Sequence, residues 1–403
     1  MNSLNSTLYL NTTFVRPPFF FINGLFLCCK YATRLNKLEK PFTSFSAKVT
    51  VGKEKQKASH KEKKSKTSAM SSLNSTLSLN TTFVRPPFFF ISGLNNMPHA
   101  KYYYIFLCFV FVVTVLGNSF VMFIIYTERS FHTPKYMAIL NLIIADLGES
   151  TAFIPNVIAM FLFDSQYISF DACLVNMYFV LLFACLQSLT LTVLAYDRLV
   201  AICLPLRYHA IITMQAMVVM LTLVWAYDSV LMILMVTFIT RLSFCKSIVV
   251  QSCFCEHGPV YTLACNDNFI NHVISRVHVA LLLHLPFILT VISYVFIAGA
   301  LSKIASSEGR FKAIKTCSAH LMLVALYYLP IMGTHIAGLT STLHLNTRIM
   351  NLSIANSITP MMNPIIYVLN TEEIKEFSKK LFKRKKKKTA TELNNQNKGT
   401  DLY

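Results

Sequence analysis

Tryptophan occurs once in this chain of 403 residues, and only 14% of its residues are charged. Eleven glycines are too few for a collagen-like repeat, and no glycine-rich phosphate loop occurs. Acids number 18 against 37 bases, and no nucleophile stands with a base in a catalytic arrangement, so an enzyme reading lacks material. So little charge also argues against disorder and against an ordinary soluble domain. What is abundant is apolar: 54% of the chain is hydrophobic and 32 residues are Phe. A formal charge of +19 would suit a nucleic-acid partner if spread over a soluble surface. Most of it lies in two polar segments outside the apolar part, so it reports topology and not nucleic-acid binding.

A bilayer core of about 30 Å needs roughly 20 apolar residues of helix. Seven runs of that kind appear, near 102–127, 137–163, 172–204, 210–239, 273–302, 313–338 and 347–370. They lack the short alternation of barrel strands, so the fold expected is an all-α seven-transmembrane helix bundle over 102–370. Arg129, Lys135, Arg207, Lys303, Arg310, Lys312 and Lys315 fall in the first, third and fifth connections. Lys and Arg favour the cytosolic side, which puts the N-terminus outside and the C-terminus in the cytosol of a multi-pass plasma-membrane protein. Residues 371–383, with Ile374, Phe377, Leu381 and Phe382 on one face, read as an amphipathic helix on the inner leaflet. In the 384–403 tail and just before it, Lys383 to Lys388 is an unbroken basic run. It suits anionic lipid at about 1 kcal/mol per base, or is simply a solvated tail.

Residues 3–25 recur at 72–94 with differences only at Tyr9/Ser78 and Asn23/Ser92. A Lys-rich stretch, Lys53 to Lys66, separates the copies, and bases there oppose the orientation just derived. The expectation is a functional protein beginning at Met70, with 1–69 an upstream duplication or an extension of the gene model; a signal peptide in the first copy is the rival. In the segment 70–101, Asn74 and Asn80 lie in glycosylation sequons on the outer side.

Ionisable groups in membrane spans are costly and are functional candidates. Here they are Asp146, Glu149, Asp197, Arg198 and Asp228, joined by the uncharged Asn118 and Asn363. Asp146 and Glu149 share a helical face, where two carboxylates require a sodium ion or a shared proton between them, unless the polar core merely glues helices. Outside the membrane, Cys245, Cys253, Cys255 and Cys265 cluster between the fourth and fifth runs, and Cys173 begins the third. Bridges are favoured by an oxidising exterior, and a metal site of Cys253, Cys255 and His257 is the sharper alternative.

Asn118 after Gly117, Leu142 with Asp146, Cys173 placed 25 residues before Arg198, Trp225, Pro286 with Tyr294, and Asn363-Pro364-Ile365-Ile366-Tyr367 resemble the class A G-protein-coupled receptors in order and spacing. FHTPKY (131–136), LAYDRLVAICLPLRY (194–208), KAIKTCSAHL (312–321) and PMMNPIIY (360–367) are similar to the odorant receptor family, its fish-type branch included. The resemblance covers about 72–385. It implies bridges Cys173–Cys255 and Cys245–Cys265, the second closing a loop worth about 3 kcal/mol.

The resemblance further implies a small odorant bound in the outer half by Met177, Val180, Leu181, Ala184, His278, Leu282, Tyr328, Ile331, His335 and Ser353; for each apolar one core packing is the better explanation, and His278, Tyr328 and His335 are the stronger candidates because buried polar groups need partners. Val180 stands where aminergic receptors place an Asp, which argues against a biogenic amine. Tyr328 replaces a Trp at the pivot above Pro330, whose bend lets the cytosolic end of the sixth helix swing outward. Tyr294 and Tyr367 then support Arg198, beside Asp197, against a heterotrimeric G protein of the stimulatory olfactory type that raises cyclic AMP. Asn363 and Pro364 belong to the same switch. Leu199 departs from the family's Tyr, and Gln187 from a Glu facing the sodium site of Asn118, Asp146 and Asn363; Glu149 is expected to supply the missing carboxylate. A non-odorant class A receptor and a seven-helix transporter remain the alternatives, the latter without the repeated interrupted helices it needs.

Overall fold

The structure, a computed structural model, describes residues 83–94, 100–162, 166–304, 306–339 and 344–380. Asn74, Asn80, the first copy of the repeat, the Lys-rich stretch, Leu381, Phe382 and the basic tail lie outside the described residues. Among those described, seven helices are long and apolar enough to cross a membrane. They are α1 (Ala100–Thr127), α2 (Pro134–Leu162), α3 (Phe170–Cys203), α4 (Met214–Thr240), α5 (Phe269–Ser302), α6 (Ser307–Leu339) and α7 (Leu345–Asn370). An eighth, α8, covers 372–380.

Helices apolar nearly all round suit lipid outside and packing inside. Phe109, Phe123, Leu223, Val230, Val295 and Phe296 point outward, whereas Leu107, Phe111, Ile143, Phe153, Val180 and Leu186 are fully enclosed. Several helices outrun their apolar windows. α5 starts at Phe269 and α6 at Ser307, so Glu308, Arg310 and Lys315 ride on helical turns. Hydropathy marks only the stretch that needs lipid, while polar residues beyond it extend a helix readily.

Prolines inside α6 and α7 create a specific debt of hydrogen bonds, because each lacks an N–H for the carbonyl four residues earlier. The carbonyl freed by Pro364 is that of Pro360, and Asn118 Nδ2 on α1 donates to it at 2.9 Å. The one freed by Pro330 is that of Leu326, and Thr359 Oγ1 on α7 reaches it at 3.4 Å. In α5 a π-helical turn, Ala280–His284, precedes Pro286. Side chains also bind helices directly: Trp225 Nε1 donates to Asn141 Oδ1 at 2.7 Å and Asn141 Nδ2 to Thr190 Oγ1 at 2.8 Å, tying α4, α2 and α3.

The outer face carries a three-stranded sheet that the apolar runs did not predict. β1 (Phe88–Ile91) lies between β2 (Tyr167–Ser169), to which it is antiparallel, and β3 (Val249–Val250), to which it is parallel. Pro86-Pro87 forces an extended entry. Phe89 and Ile91 then point inward and are buried while Phe88 is exposed, a period-two pattern in the segment read only as an outer N-terminus.

Close approach of α2 and α3 depends on Gly148. A Cβ there would sit 2.5 Å from the Phe183 ring. Gly148→Ala is expected to destabilise the fold by about 1–3 kcal/mol. The check is a lower melting temperature of the purified protein that Phe183→Leu partly restores.

Candidate functional site

At the outer end, Cys173 is bridged to Cys255 and Cys245 to Cys265, with Cα separations of 5.4 and 5.6 Å. The first bridge ties the loop between α4 and α5 to the top of α3. It consumes the Cys255 thiol, and among the described residues no three His, Cys, Asp or Glu side chains are arranged to hold a metal ion, so the metal alternative has no set of ligands there. Cys253 is free and buried, and burial pushes its thiol up to about 12.

Beneath that loop stand the residues expected to meet a ligand. Met177, Val180, Leu282 and Tyr328 are buried, while Leu181, Ala184 and Ile331 are half-buried. His278 Nε2 lies 3.5 Å from Cys185 Sγ. Ser353 is fully buried and hydrogen-bonded to the Tyr103 hydroxyl, so it also ties α7 to α1. His335 is exposed, its ring 6.4 Å from that of His284, placing it at the seam of α5 and α6 and not in the packed core. Among the described residues there, both oxygens of Asp228 and both ring nitrogens of His257 are buried without a hydrogen-bond partner.

Below these lies the polar core. Asn363 Nδ2 donates to both Asp146 oxygens at 2.9 Å, joining α7 to α2. Gln187 Nε2 donates to Glu149 Oε2, joining α3 to α2. Glu149, the acid expected to stand in for the one the resemblance puts at Gln187, thus faces Gln187 from α2. Asn118 Oδ1, Asn363 Oδ1 and Ser150 Oγ are buried without partners. One residue along α3 from Gln187, the Ser188 hydroxyl is 2.7 Å from the Tyr328 hydroxyl. Tyr327 donates to the Ala184 carbonyl at 2.8 Å, so two adjacent tyrosines hold α6 to α3.

At the cytosolic end Arg198 pairs with Asp197 of its own helix at 3.3 Å, and Tyr208 donates to the other Asp197 oxygen at 2.8 Å. Tyr294 bonds to His320 Nδ1 at 2.6 Å, and His320 Nε2 meets the Leu191 carbonyl at 3.0 Å. The Tyr367 hydroxyl is buried with no partner. Neither tyrosine hydroxyl is hydrogen-bonded to Arg198 in this arrangement. A cavity of about 230 Å³ opens among Lys135, Arg198, Lys315, His320, Tyr367 and Glu373. Its rim is clamped by α8: Lys135 and Tyr136 bond to Glu373, and Lys315 pairs with Glu372 at 2.8 Å. Burial opposes ionisation of Glu373, but the Tyr136 hydroxyl and Lys135 ammonium outweigh it and hold its carboxyl below the ordinary value.

His320, Tyr208, Glu372 and Glu373 were not singled out in the sequence. Two of them lie inside stretches that carry the family resemblance, His320 in KAIKTCSAHL and Tyr208 at the end of LAYDRLVAICLPLRY.

Comparison with known proteins decides the family. A family model described as olfactory receptor matches residues 107–385. The chain belongs to the olfactory receptor family. Olfactory receptor 1 of Rattus norvegicus is 33% identical over 299 residues, covering 74% of this chain and 95% of that one. Olfactory receptor 51A4 of Homo sapiens is 34% identical over 307 residues, with the same coverage of 74% and 95%. The crystal structure of squid rhodopsin superposes with a TM-score of 0.56 at 16% identity, over 70% of this chain and 85% of that chain, a likeness of fold. The receptor is therefore a multi-pass plasma-membrane protein of the class A G-protein-coupled type and not an enzyme.

In the receptor's outer loop, His257 gives a pH signature. Burial, reinforced by His278 and His272, lowers its pKa from 6.5 to about 3. Between those values the unfolded chain binds a proton that the folded chain refuses, so stability is full above about pH 6.5 and falls as pH drops toward 3. From pH 7 to pH 5 the loss attributable to this group is about 2 kcal/mol. Thermal melts of the purified receptor should show that loss shrinking in His257→Phe.

Proposed function

We propose that the receptor binds a small, mostly apolar odorant in the outer half of the bundle and activates a stimulatory, olfactory-type heterotrimeric G protein, raising cyclic AMP. The observation that carries this reading is the position of Tyr328. It is buried two residues from Pro330, packs on Phe287 with ring centroids 4.9 Å apart, and is bonded across to Ser188. A ligand that prefers a bundle in which this contact has let go shifts the population toward it, and preference between states is the only lever a ligand has. The bend at Pro330 carries the motion to the cytosolic end of α6, where Lys315 and His320 border the crevice beside Arg198. There Tyr367, whose hydroxyl has no partner, and Tyr294, once His320 releases it, are the groups that turn toward the guanidinium.

Affinity for an odorant of this class comes from burial beside Met177, Val180 and Leu282, with His278 as an orienting polar group. No acid stands at Val180, which disfavours a cationic amine on that helix.

The polar core fits a sodium ion as an allosteric partner. Orphaned oxygens of Asn118 and Asn363 beside the Asp146 and Glu149 carboxylates are the hard donors such a cation takes, and two neighbouring acids in lipid require a positive charge or a proton. When bound, the ion would neutralise that pair and favour the closed bundle. Residues 372–380 serve as the surface helix on the inner leaflet, anchored by buried Ile374 and by Phe377 edge-on to Phe131 at 5.9 Å.

Two measurements test these readings. In a cyclic AMP assay of the Met70 form against an odorant panel, Arg198→Ala should abolish the response of every active odorant at unchanged surface level; a surviving response removes Arg198 from the switch. Raising sodium should lower signalling of the wild type, and the Asp146→Asn, Glu149→Gln double variant should be insensitive to it. An unchanged sodium dependence in that variant would refute the ion site.

A further inference from the structure

The seat of β1 is defined in detail. Its backbone donates from Phe90 to the Ile248 carbonyl at 2.8 Å, from Ile91 to Gln166 at 2.9 Å, and from Ser92 to Val250 and Gly93 to Ser252, both at 3.0 Å. It accepts from Phe244 through the Val84 carbonyl at 2.8 Å and from Phe170 through that of Pro87 at 3.2 Å. Phe89 fills the space between Phe170 and Phe244, with ring centroids at 5.8 and 5.2 Å, and Arg85 lies over Phe170 at 4.8 Å. Gly93 closes the strand with φ of 52°, a conformation side chains disfavour. Removing the strand would leave two unpaired sheet edges and an emptied apolar pocket, so the seat selects strongly for this sequence.

Residues 14–22 have the same sequence as 83–91, FVRPPFFFI, and Gly24 and Leu25 match Gly93 and Leu94. Every side chain just named as a contact has its twin: Arg16, Phe20, Ile22. The one difference within reach is Asn23 for Ser92, whose hydroxyl makes no hydrogen bond.

We propose that the seat between β2 and β3 is a docking site for residues 14–22 of the same chain, which compete there with β1. Contacts being equal, tether length decides the competition. β1 reaches α1 through 8 residues and the first copy through 77, residues 23–99. Loop-closure entropy then favours β1 by about thirty-fold. The first copy is thus a reserve strand, seated in a few per cent of molecules and taking over when β1 is weakened. Chains begun at Met70 have no reserve. Nothing in this depends on which odorant or G protein the receptor uses.

Strand exchange is read by cross-linking in the chain translated from Met1. Phe90 pairs with Tyr167 across β1 and β2, and Phe21 is its twin, so Phe21→Cys with Tyr167→Cys reports occupancy by the first copy. After brief oxidation we expect a cross-link within single chains in about one molecule in thirty, rising to most molecules when Phe89→Asp and Ile91→Asp disable β1, and vanishing when Phe20→Asp is added. Surface amount should follow: Phe89→Asp with Ile91→Asp should be tolerated in the Met1 chain and lost in the Met70 chain. Failure of the cross-link to rise in the β1-disabled Met1 chain, whether it reaches the surface or is retained, overturns the proposal. So does a cross-link that forms only between two differently tagged chains.

Discussion

A polar group withdrawn from water into a bundle surrounded by hydrocarbon must find a partner within the bundle, and the placement of most functional residues here follows from that requirement. Prolines make it acute. The carbonyls freed by Pro364 and Pro330 are met from α1 by Asn118 and from α7 by Thr359, so the bends in α6 and α7 are coupled to their neighbours by the hydrogen bonds they themselves lack. Gly117 belongs to the same arrangement, because a Cβ there would come within 2.9 Å of the Pro364 ring. Pro330 in α6 and Pro364 in α7 thus each have the freed carbonyl held by a side chain from a neighbouring helix.

Tyr328 and the acid core meet on neighbouring residues of α3. Gln187 and Ser188 are consecutive on α3; one is bonded to Glu149 on α2 and the other to Tyr328 on α6. A displacement of Tyr328 thus acts on α3 at the residue next to the one that holds the acid. Moving the carboxylate from α3 to α2 preserves this junction, since an amide and a carboxylate facing each other form the same connection whichever helix carries the acid.

What could be read in the sequence divides along physical lines. The seven spans were legible because lipid demands a continuous apolar run, and the polar residues within them stood out for the same reason. β1 was not, since one strand of four residues, Phe88–Ile91, gives too short an alternation to separate from an apolar loop. Helix ends in water, as at Phe269 and Ser307, lie beyond the apolar runs because no transfer energy marks the boundary. Partners were the least legible: that His320 would join Leu191 to Tyr294, or that Ser353 would be engaged by Tyr103, depends on helix rotations that one sequence does not display.

The cytosolic end shows which contact keeps the bundle closed. Lys315 and Glu372 form the obvious ion pair between α6 and α8, but their side chains are 52% and 55% exposed, and pairs so placed contribute about 0–1 kcal/mol. Arg198 offers no hold on α6, because its partner Asp197 lies on its own helix. His320 is different. It is buried on α6 and engages both the Leu191 carbonyl of α3 and the Tyr294 hydroxyl of α5, and leaving such a group unsatisfied costs about 1–3 kcal/mol. An outward swing of α6 strips His320 of the α3 contact and at the same time frees the Tyr294 hydroxyl to seek another partner. The loss and the release are thus one event, and in the proposed mechanism withdrawal of the histidine is what lets the tyrosine go to Arg198.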